Sequence, residues 1–306
     1  MQPNQLDRSR IRSLRTEAER ALAHGPQPER ARLDAEQLLL HILSRSDPER
    51  NRAWLLAHAN DPTSQDARVE FDVLLRRRLA GEPIQYITGE AGFYGLPFRV
   101  TPEVLIPRPE TEHLVEKVLE LAANFTQPRI VDVGTGSGII AIALAHKLAA
   151  ATITAIDLSS SALAIAQENA ERNSVSGSIR FLEGDLLEPV AEERFEIMVS
   201  NPPYVPLRDQ ASLAVEVRDY EPALALFAGD DGLEVYRRLI PAAFAALTPG
   251  GCVAFEIGYG QEAAIRALLE DSGFEGIEFF PDLQGIARVA CASTSPCTSK
   301  PGLCPS

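Results

Sequence analysis

The chain has no apolar run long enough to cross a bilayer. The longest, Ile139 to Ala151, is interrupted by His146 and Lys147, whereas a spanning helix needs ~20 predominantly apolar residues. Its opening, MQPNQLDRSRIRSL, carries basic residues with no apolar stretch behind them, so a secretory signal is not expected and a cytoplasmic location is. Cysteine is scarce: Cys252, Cys291, Cys297 and Cys304 show no C-x-x-C spacing, which leaves zinc and redox-motif chemistry without support and reads as free thiols in a reducing compartment. The five histidines, His24, His41, His58, His113 and His146, are scattered without ligand spacing, so no metal is implied. Basic charge is also lacking, with 29 Lys+Arg against 43 Asp+Glu for a net charge of -14. Nonspecific nucleic-acid affinity rests largely on phosphate neutralisation by Lys and Arg, so this balance argues against a polyanion binder. Internal repeats are missing too. What remains is an ordinary soluble composition, 45% hydrophobic and 24% charged over 306 residues, enough for about two domains on a prior of ~100–200 residues each.

The charge divides the chain. Residues 1–80 hold 14 Arg against 12 Asp+Glu, or +2, leaving -16 for residues 81–306. The first stretch reads as four or five helices: Leu6, Ile11, Leu14, Ala18 and Leu22 recur at helical spacing, as do Leu38, Leu39, Ile42 and Leu43 after Pro28, and Phe71, Leu74, Leu75 and Leu79 before Gly81. Residues 81–109, GEPIQYITGEAGFYGLPFRVTPEVLIPRP, turn rich in Gly, Pro and aromatics. Alternating apolar residues from Phe93 to Val100 suit a short hairpin, making this a structured connector. Residues 110–291 then alternate strand and helix. Strands are expected at Ile130–Val133, Thr152–Asp157, Ile179–Leu182, Phe195–Ser200, Cys252–Ile257, Gly276–Phe280 and Ile286–Cys291. Helices are expected at Gly138–Ala149, Ser160–Asn173, Gly232–Leu247 and Gln261–Ser272. This is an α/β pattern with a mostly parallel sheet and helices on both faces. The last two strands, five residues apart, must pair antiparallel, because a parallel crossover needs a dozen or more residues. Residues 292–306, ASTSPCTSKPGLCPS, are Ser/Thr/Pro/Cys-rich without periodicity and are expected to be disordered.

Two segments carry chemistry. VDVGTGSG (Val131 to Gly138) ends a strand and opens a helix, and Gly134, Gly136 and Gly138 allow a sharp turn and close backbone approach to a ligand. Asp157 closes the next strand, where a carboxylate can accept from both hydroxyls of a ribose. Together they indicate a nucleoside cofactor. A dinucleotide's pyrophosphate favours a bare helix N-terminus. S-adenosylmethionine instead brings a sulfonium and an ammonium, which Asp132, just before the loop, suits better. Asp185 could reach the adenine amine, and Leu186 would offer the base an apolar wall or serve as a core leucine.

SNPPY (Ser200 to Tyr204) follows the fourth strand directly, at the carboxyl edge where open α/β sheets bind ligands. Consecutive prolines fix φ and remove donors, leaving carbonyls free. The Asn201 side-chain oxygen and the Pro202 carbonyl can together accept both hydrogens of a planar NH2 group, with Tyr204 on its face. That geometry selects an amide or aryl amine as nucleophile.

At these residues the chain resembles the class I S-adenosylmethionine-dependent methyltransferases and, within them, the release factor glutamine methyltransferase (HemK-type) family. The resemblance covers about residues 5–291. It rests on Gly81 to Glu112, on VDVGTGSG and SNPPYV, on YEPALALFAGDDGLEVYRRLI (Tyr220 to Ile240), and on EIGYGQ (Glu256 to Gln261). It implies a Rossmann-like methyltransferase domain preceded by a small helical, substrate-docking domain and a β-hairpin connector. It also implies that Gly134, Thr135, Gly136, Ser137 and Gly138 contact the methionine part of S-adenosyl-L-methionine, Asp157 the ribose, and Asp185 or Leu186 the adenine, an aromatic residue often standing in the family where Leu186 is. Asn201, Pro202, Pro203 and Tyr204 would hold the acceptor, the glutamine of the Gly-Gly-Gln loop of peptide chain release factors, and S-adenosyl-L-homocysteine would be the product of this step in translation termination. Arg108, Pro109 and Thr111 are placed near the site by resemblance, while Pro109 with Glu110 and Glu112 equally suits a plain helix start. The implied enzyme is cytoplasmic and monomeric, with no nucleic-acid, membrane or metal partner. An adenine-amine DNA or RNA methyltransferase shares N-P-P-Y chemistry but should carry a basic groove, which the -16 balance opposes. A cofactor-binding scaffold without activity would be expected to have lost the N-P-P-Y or glycine segment, and both are intact.

Overall fold

The structure is a computed structural model that describes residues 10–294. Leu6, Cys297, Cys304 and residues 295–306 lie outside the described residues. The chain forms two compact units, one reaching to Glu90 and including Ala214–Tyr220, the other holding Ala91–Leu213 and the chain from Glu221 onward.

The first unit is helical. Ile11–Leu22, Ala31–Leu43, Arg52–Ala57, Gln65–Leu79 and Ile84–Thr88 are helices, joined by Val215–Tyr220 from far along the chain. Ile11, Leu14, Ala18 and Leu22 share one buried stripe and pack with Leu38, Leu39, Phe71 and Leu74. Helix starts follow local side chains: Asn51 accepts from the Trp54 amide (3.1 Å) and Ser64 from the Ala67 amide (3.2 Å). The helical region does not stop at residue 80, because Ile84 and Ile87 are buried in the same core and Gly89, at φ 76°, closes their helix. Nor is it wholly N-terminal. Arg78, 2% exposed, pairs with Asp34 at 2.7 Å and also with Glu216, so a buried guanidinium anchors the returning segment.

The second unit is three-layered. β1 (Glu90–Phe93) and β2 (Leu96–Arg99) form the hairpin, with Tyr94 and Gly95 at φ 51° and 75°, as a two-residue type I′ turn requires. The main strands are β3 (Arg129–Val133), β4 (Thr152–Asp157), β5 (Ile179–Glu183), β6 (Phe195–Ser200), β7 (Leu247–Glu256), β8 (Glu275–Pro281) and β9 (Ala287–Ser293). They lie in the order β5-β4-β3-β6-β7-β9-β8. β3 to β7 are parallel, while β9 runs antiparallel to both β7 and β8. Ala292 and Ser293 belong to β9 rather than to a tail, because their backbones complete the ladder with Val253 and Cys252.

Period-2 alternation builds the layers. Ile130, Ile197 and Ala254 face a core shared with helices Thr111–Ala122 and Ile139–Lys147. Val131, Met198 and Val253 face another shared with Glu234–Ala246 and Glu262–Asp271. The chain leaves β3 toward β4 and β5, then returns to β6 on the other side of β3. The carboxyl ends of β3 and β6 are therefore a topological switch point, where helices leave a crevice.

Candidate active site

A cavity of about 410 Å³ opens at that switch point, within the ~300–1,000 Å³ of small-molecule sites. Four of the five parallel strands contribute their carboxyl ends and the loops that follow: Gly134 to Ser137 after β3, Asp157 to Ser159 at β4, Gly184 to Leu186 after β5 and Ser200 to Pro203 at β6. Ser200 Oγ donates to the Val133 carbonyl at 2.5 Å, tying the two central strand ends together.

Gly134 and Gly136 have φ of 74° and 55° with nothing within 4 Å of where a Cβ would stand, so their backbone lies open to the cavity. Gly138 differs. It does not line the cavity, and a Cβ there would meet Ile142 Cδ1 at 2.9 Å and Ala166 Cβ at 3.1 Å, so this glycine serves helix packing rather than ligand contact. Asp132 also sits behind the loop. It is 0% exposed; its Oδ2 accepts from Thr135 Oγ1 (2.7 Å) and the Ala141 amide (3.3 Å), while Oδ1 has no hydrogen-bond partner. Burial pushes its carboxyl up to about 7, against the pull of those two donors.

Asp157 lines the cavity and braces the glycine loop, accepting from the Gly136 amide at 2.7 Å and the Ser159 amide at 2.9 Å. Burial raises its carboxyl in spite of these bonds. Asp185 lines the wall but spends Oδ2 on Arg238 at 2.5 Å. Beside it Leu186 holds a left-handed backbone, φ 53°, uncommon for a branched side chain. Leu186 lines the cavity and packs on the second core.

Asn201, Pro202 and Pro203 line the opposite side. Asn201 Nδ2 donates to Thr111 Oγ1 at 3.2 Å, and Thr111 Oγ1 donates to Glu256 Oε2 at 2.6 Å. Tyr204 is not at the cavity surface: its hydroxyl donates to Glu256 Oε1 at 3.1 Å, and burial with the Glu256 charge raises that phenol strongly. Gln261 holds the loop from behind, donating to the carbonyls of Tyr204 (3.1 Å) and Gly232 (3.2 Å). Gly232, at φ 76°, permits this, since a Cβ there would lie 2.3 Å from the Tyr204 oxygen.

Several lining residues were not picked out from the sequence. Val205 pairs with Phe227 through the Val205 amide to Leu226 carbonyl (2.8 Å) and Ala228 amide to Val205 carbonyl (3.1 Å) bonds. This brings Pro222, Leu224 and Phe227 to the cavity. Their only signal was the YEPALALF stretch, which carries no chemistry of its own. Arg108 and Thr111 line the cavity and Pro109 does not; Arg108 pairs with Glu221 at 2.5 Å.

Fold and site together define a Rossmann-like α/β methyltransferase. A family model described as "Methyltransferase small domain" matches residues 110–217, and one described as "PrmC N-terminal domain" matches residues 13–89. A release factor glutamine methyltransferase of Koribacter versatilis is 41% identical over 87% of this chain and 91% of its own. One of Bordetella pertussis is 43% identical over 85% and 93%, and one of Moorella thermoacetica 42% over 91% and 96%. The chain belongs to the release factor glutamine methyltransferase family and is an enzyme of that kind. Solved structures share the fold at lower identity. The catalytic domain of hMettl16 with a MAT2A 3′UTR hairpin has a TM-score of 0.56 at 16% identity, covering 86% of this chain and 93% of that one. The T. thermophilus 16S rRNA N2 G1207 methyltransferase has 0.51 at 21%, covering 67% and 50%.

Proposed function

We propose that this chain methylates the side-chain amide nitrogen of the glutamine in the Gly-Gly-Gln loop of a peptide chain release factor, using S-adenosylmethionine bound in the switch-point cavity. The observation that carries the reading is Asn201, at the carboxyl end of β6, with its NH2 engaged by Thr111 and its Oδ1 left to accept from a ligand NH2. The cavity residues suit a cationic nucleoside. Both guanidiniums lining it, Arg108 and Arg238, are paired with Glu221 and Asp185, and Asp157 adds a carboxylate on the glycine-loop side, with Asp132 buried behind it and ionising only at about 7. A phosphate-bearing cofactor would find carboxylates instead of free cations there.

When bound, S-adenosylmethionine supplies an electrophilic methyl group on a sulfonium. The open backbone of Gly134 and Gly136 would admit its amino-acid part, Asp157 would take the ribose hydroxyls, and Leu186 would support the adenine with an apolar contact. An amide nitrogen is a poor nucleophile because its lone pair is delocalised. Asn201 Oδ1 and the Pro202 carbonyl hold both of its hydrogens and stabilise positive charge as it develops there. Bound in the cavity, S-adenosylmethionine would supply its methyl group to that nitrogen, the carbon–sulfur pair staying with the neutral thioether product, and the amide proton would then pass to water, so no strong base is needed. Preorganised donors of comparable kind in oxyanion holes are worth ~10²–10³ in rate. Tyr204 acts from behind the loop through Glu256 rather than by stacking on the acceptor.

The helical unit supplies a docking surface for the release factor, supported by Val69 and Val73, one helical turn apart and 55% and 42% exposed. No helix among the described residues is long and apolar enough to cross a membrane, and a translation factor as acceptor supports a cytoplasmic setting for the reaction. The test is transfer of labelled methyl to purified release factor, to its loop Gln→Ala variant, and to duplex and single-stranded DNA. Label on the wild-type factor that vanishes in the variant is expected. Label on nucleic acid alone would move the chain to the adenine-amine methyltransferases, and label on neither would remove the catalytic reading.

A further inference from the structure

Behind Asn201 lies a buried chain of hydroxyls ending on a carboxylate. Glu256, the last residue of β7, is 2% exposed. Its Oε2 accepts from Thr111 at 2.6 Å and its Oε1 from Tyr204 at 3.1 Å, while its backbone carbonyl takes the Tyr236 hydroxyl. The 2.6 Å distance lies in the ~2.5–2.7 Å range of a hydroxyl on an ionised carboxylate. Burial raises this carboxyl, and the Glu110 charge adds to the rise; the Thr111 and Tyr204 hydroxyls and the Arg288 charge oppose it.

A threonine hydroxyl has one hydrogen. With that hydrogen committed to Glu256, Thr111 has only a lone pair to offer Asn201, 3.2 Å away. The Asn side-chain amide is nearly symmetric in shape, so packing alone does not distinguish its oxygen from its nitrogen, and hydrogen-bond partners must. We propose that Thr111 and Glu256 are positioning residues that set the polarity of the Asn201 amide, forcing NH2 toward Thr111 and Oδ1 toward the acceptor. Reversed, Asn201 would oppose the substrate NH2 with a second NH2, donor against donor. The inference rests on the glutamine-amide reading above, since only an NH2 acceptor requires an oxygen at this position.

The experiment compares wild type, Thr111→Val and Thr111→Ser in labelled methyl transfer to a release factor, with cofactor affinity and urea stability measured on each. Valine keeps the shape of threonine without its hydroxyl; serine keeps the hydroxyl without the methyl. Activity should follow the hydroxyl: Thr111→Val loses roughly 10- to 100-fold in kcat/KM for the release factor, the equivalent of one unmatched buried donor. Thr111→Ser should stay within several fold of wild type, and cofactor affinity should be unchanged in both. In an Asn201→Ala background, Thr111→Val should cost nothing further. A Val variant as active as wild type, equal losses in Val and Ser, or an undiminished Val effect without Asn201 would each overturn the assignment. A wild-type enzyme that labels no glutamine would overturn the function reading first, and this inference with it.

Discussion

Asp132→Asn separates the charge of a buried carboxylate from its hydrogen bonds. In the unfolded chain Asp132 ionises at its ordinary 3.8, and in the folded one burial raises this to about 7. Between those values the native state keeps a proton that the unfolded state has released, so the unfolding free energy falls as pH rises through the window. At 1.36 kcal/mol per unit, the full rise amounts to about 4 kcal/mol of stability, present below the unfolded value and lost by about pH 7. Asparagine keeps an oxygen for Thr135 Oγ1 and the Ala141 amide, and puts NH2 where Oδ1 now has no partner. That orphan donor costs roughly 1–3 kcal/mol at every pH, so slopes and not absolute stabilities carry the test. The assay is urea unfolding of both proteins without ligand at about pH 5.5 and about pH 8.5, clear of the isoelectric point near 4.9. Over that interval wild type should lose about 2 kcal/mol relative to Asp132→Asn. Parallel profiles would refute the argument. A cationic cofactor should moreover bind wild type more tightly as pH rises through about 7, and Asp132→Asn without that dependence.

Asn201→Ala should lower kcat by ~10²–10³ with cofactor affinity within several fold, checked by single-turnover transfer and equilibrium dialysis. Gly138→Ala and Gly136→Ala should part company. The first meets Ile142 and Ala166 at positive φ and should lose roughly 2–5 kcal/mol in urea unfolding from strain plus overpacking. The second has open space around it and should lose only about 1–2 kcal/mol while weakening cofactor binding. Arg78→Ala strips the buried Asp34 of its 2.7 Å partner and should destabilise the helical unit by about 3–5 kcal/mol, read as an earlier unfolding transition by circular dichroism.

Most of the α/β frame was legible because its signals are local. Apolar β-branched runs such as Ile130–Val133 and Thr152–Asp157 belong to strands buried on both faces, and each coincides with its observed strand to within a residue. The antiparallel end followed from loop length alone. The glycine and N-P-P-Y segments were legible as candidate site loops because they fall directly after strands, and both reach the cavity. Less legible were elements whose reason for folding lies elsewhere in the chain. Val215–Tyr220 has no buried residue of its own, and it joins the helical unit through the Glu216 pair with Arg78, 138 residues away. Helix Ile84–Thr88, only five residues long, is too short for a periodic signal.

By itself, then, the sequence determined the class of fold, the order of strands and helices, and the two loops that meet at the switch point, since these depend on periodicity, loop length and glycine or proline at fixed offsets. Tertiary structure decided which residues of those loops face the cavity. Gly134 and Gly136 open to the cavity while Gly138, in the same motif, abuts helix Ser160–Arg172, and Asp132 and Tyr204 turn inward to Thr135 and Glu256. Direction of that kind is set by partners distant in the chain. Thr111, Asn201 and Glu256 span 145 residues, and only their packing into one core places a hydroxyl between an amide and a carboxylate.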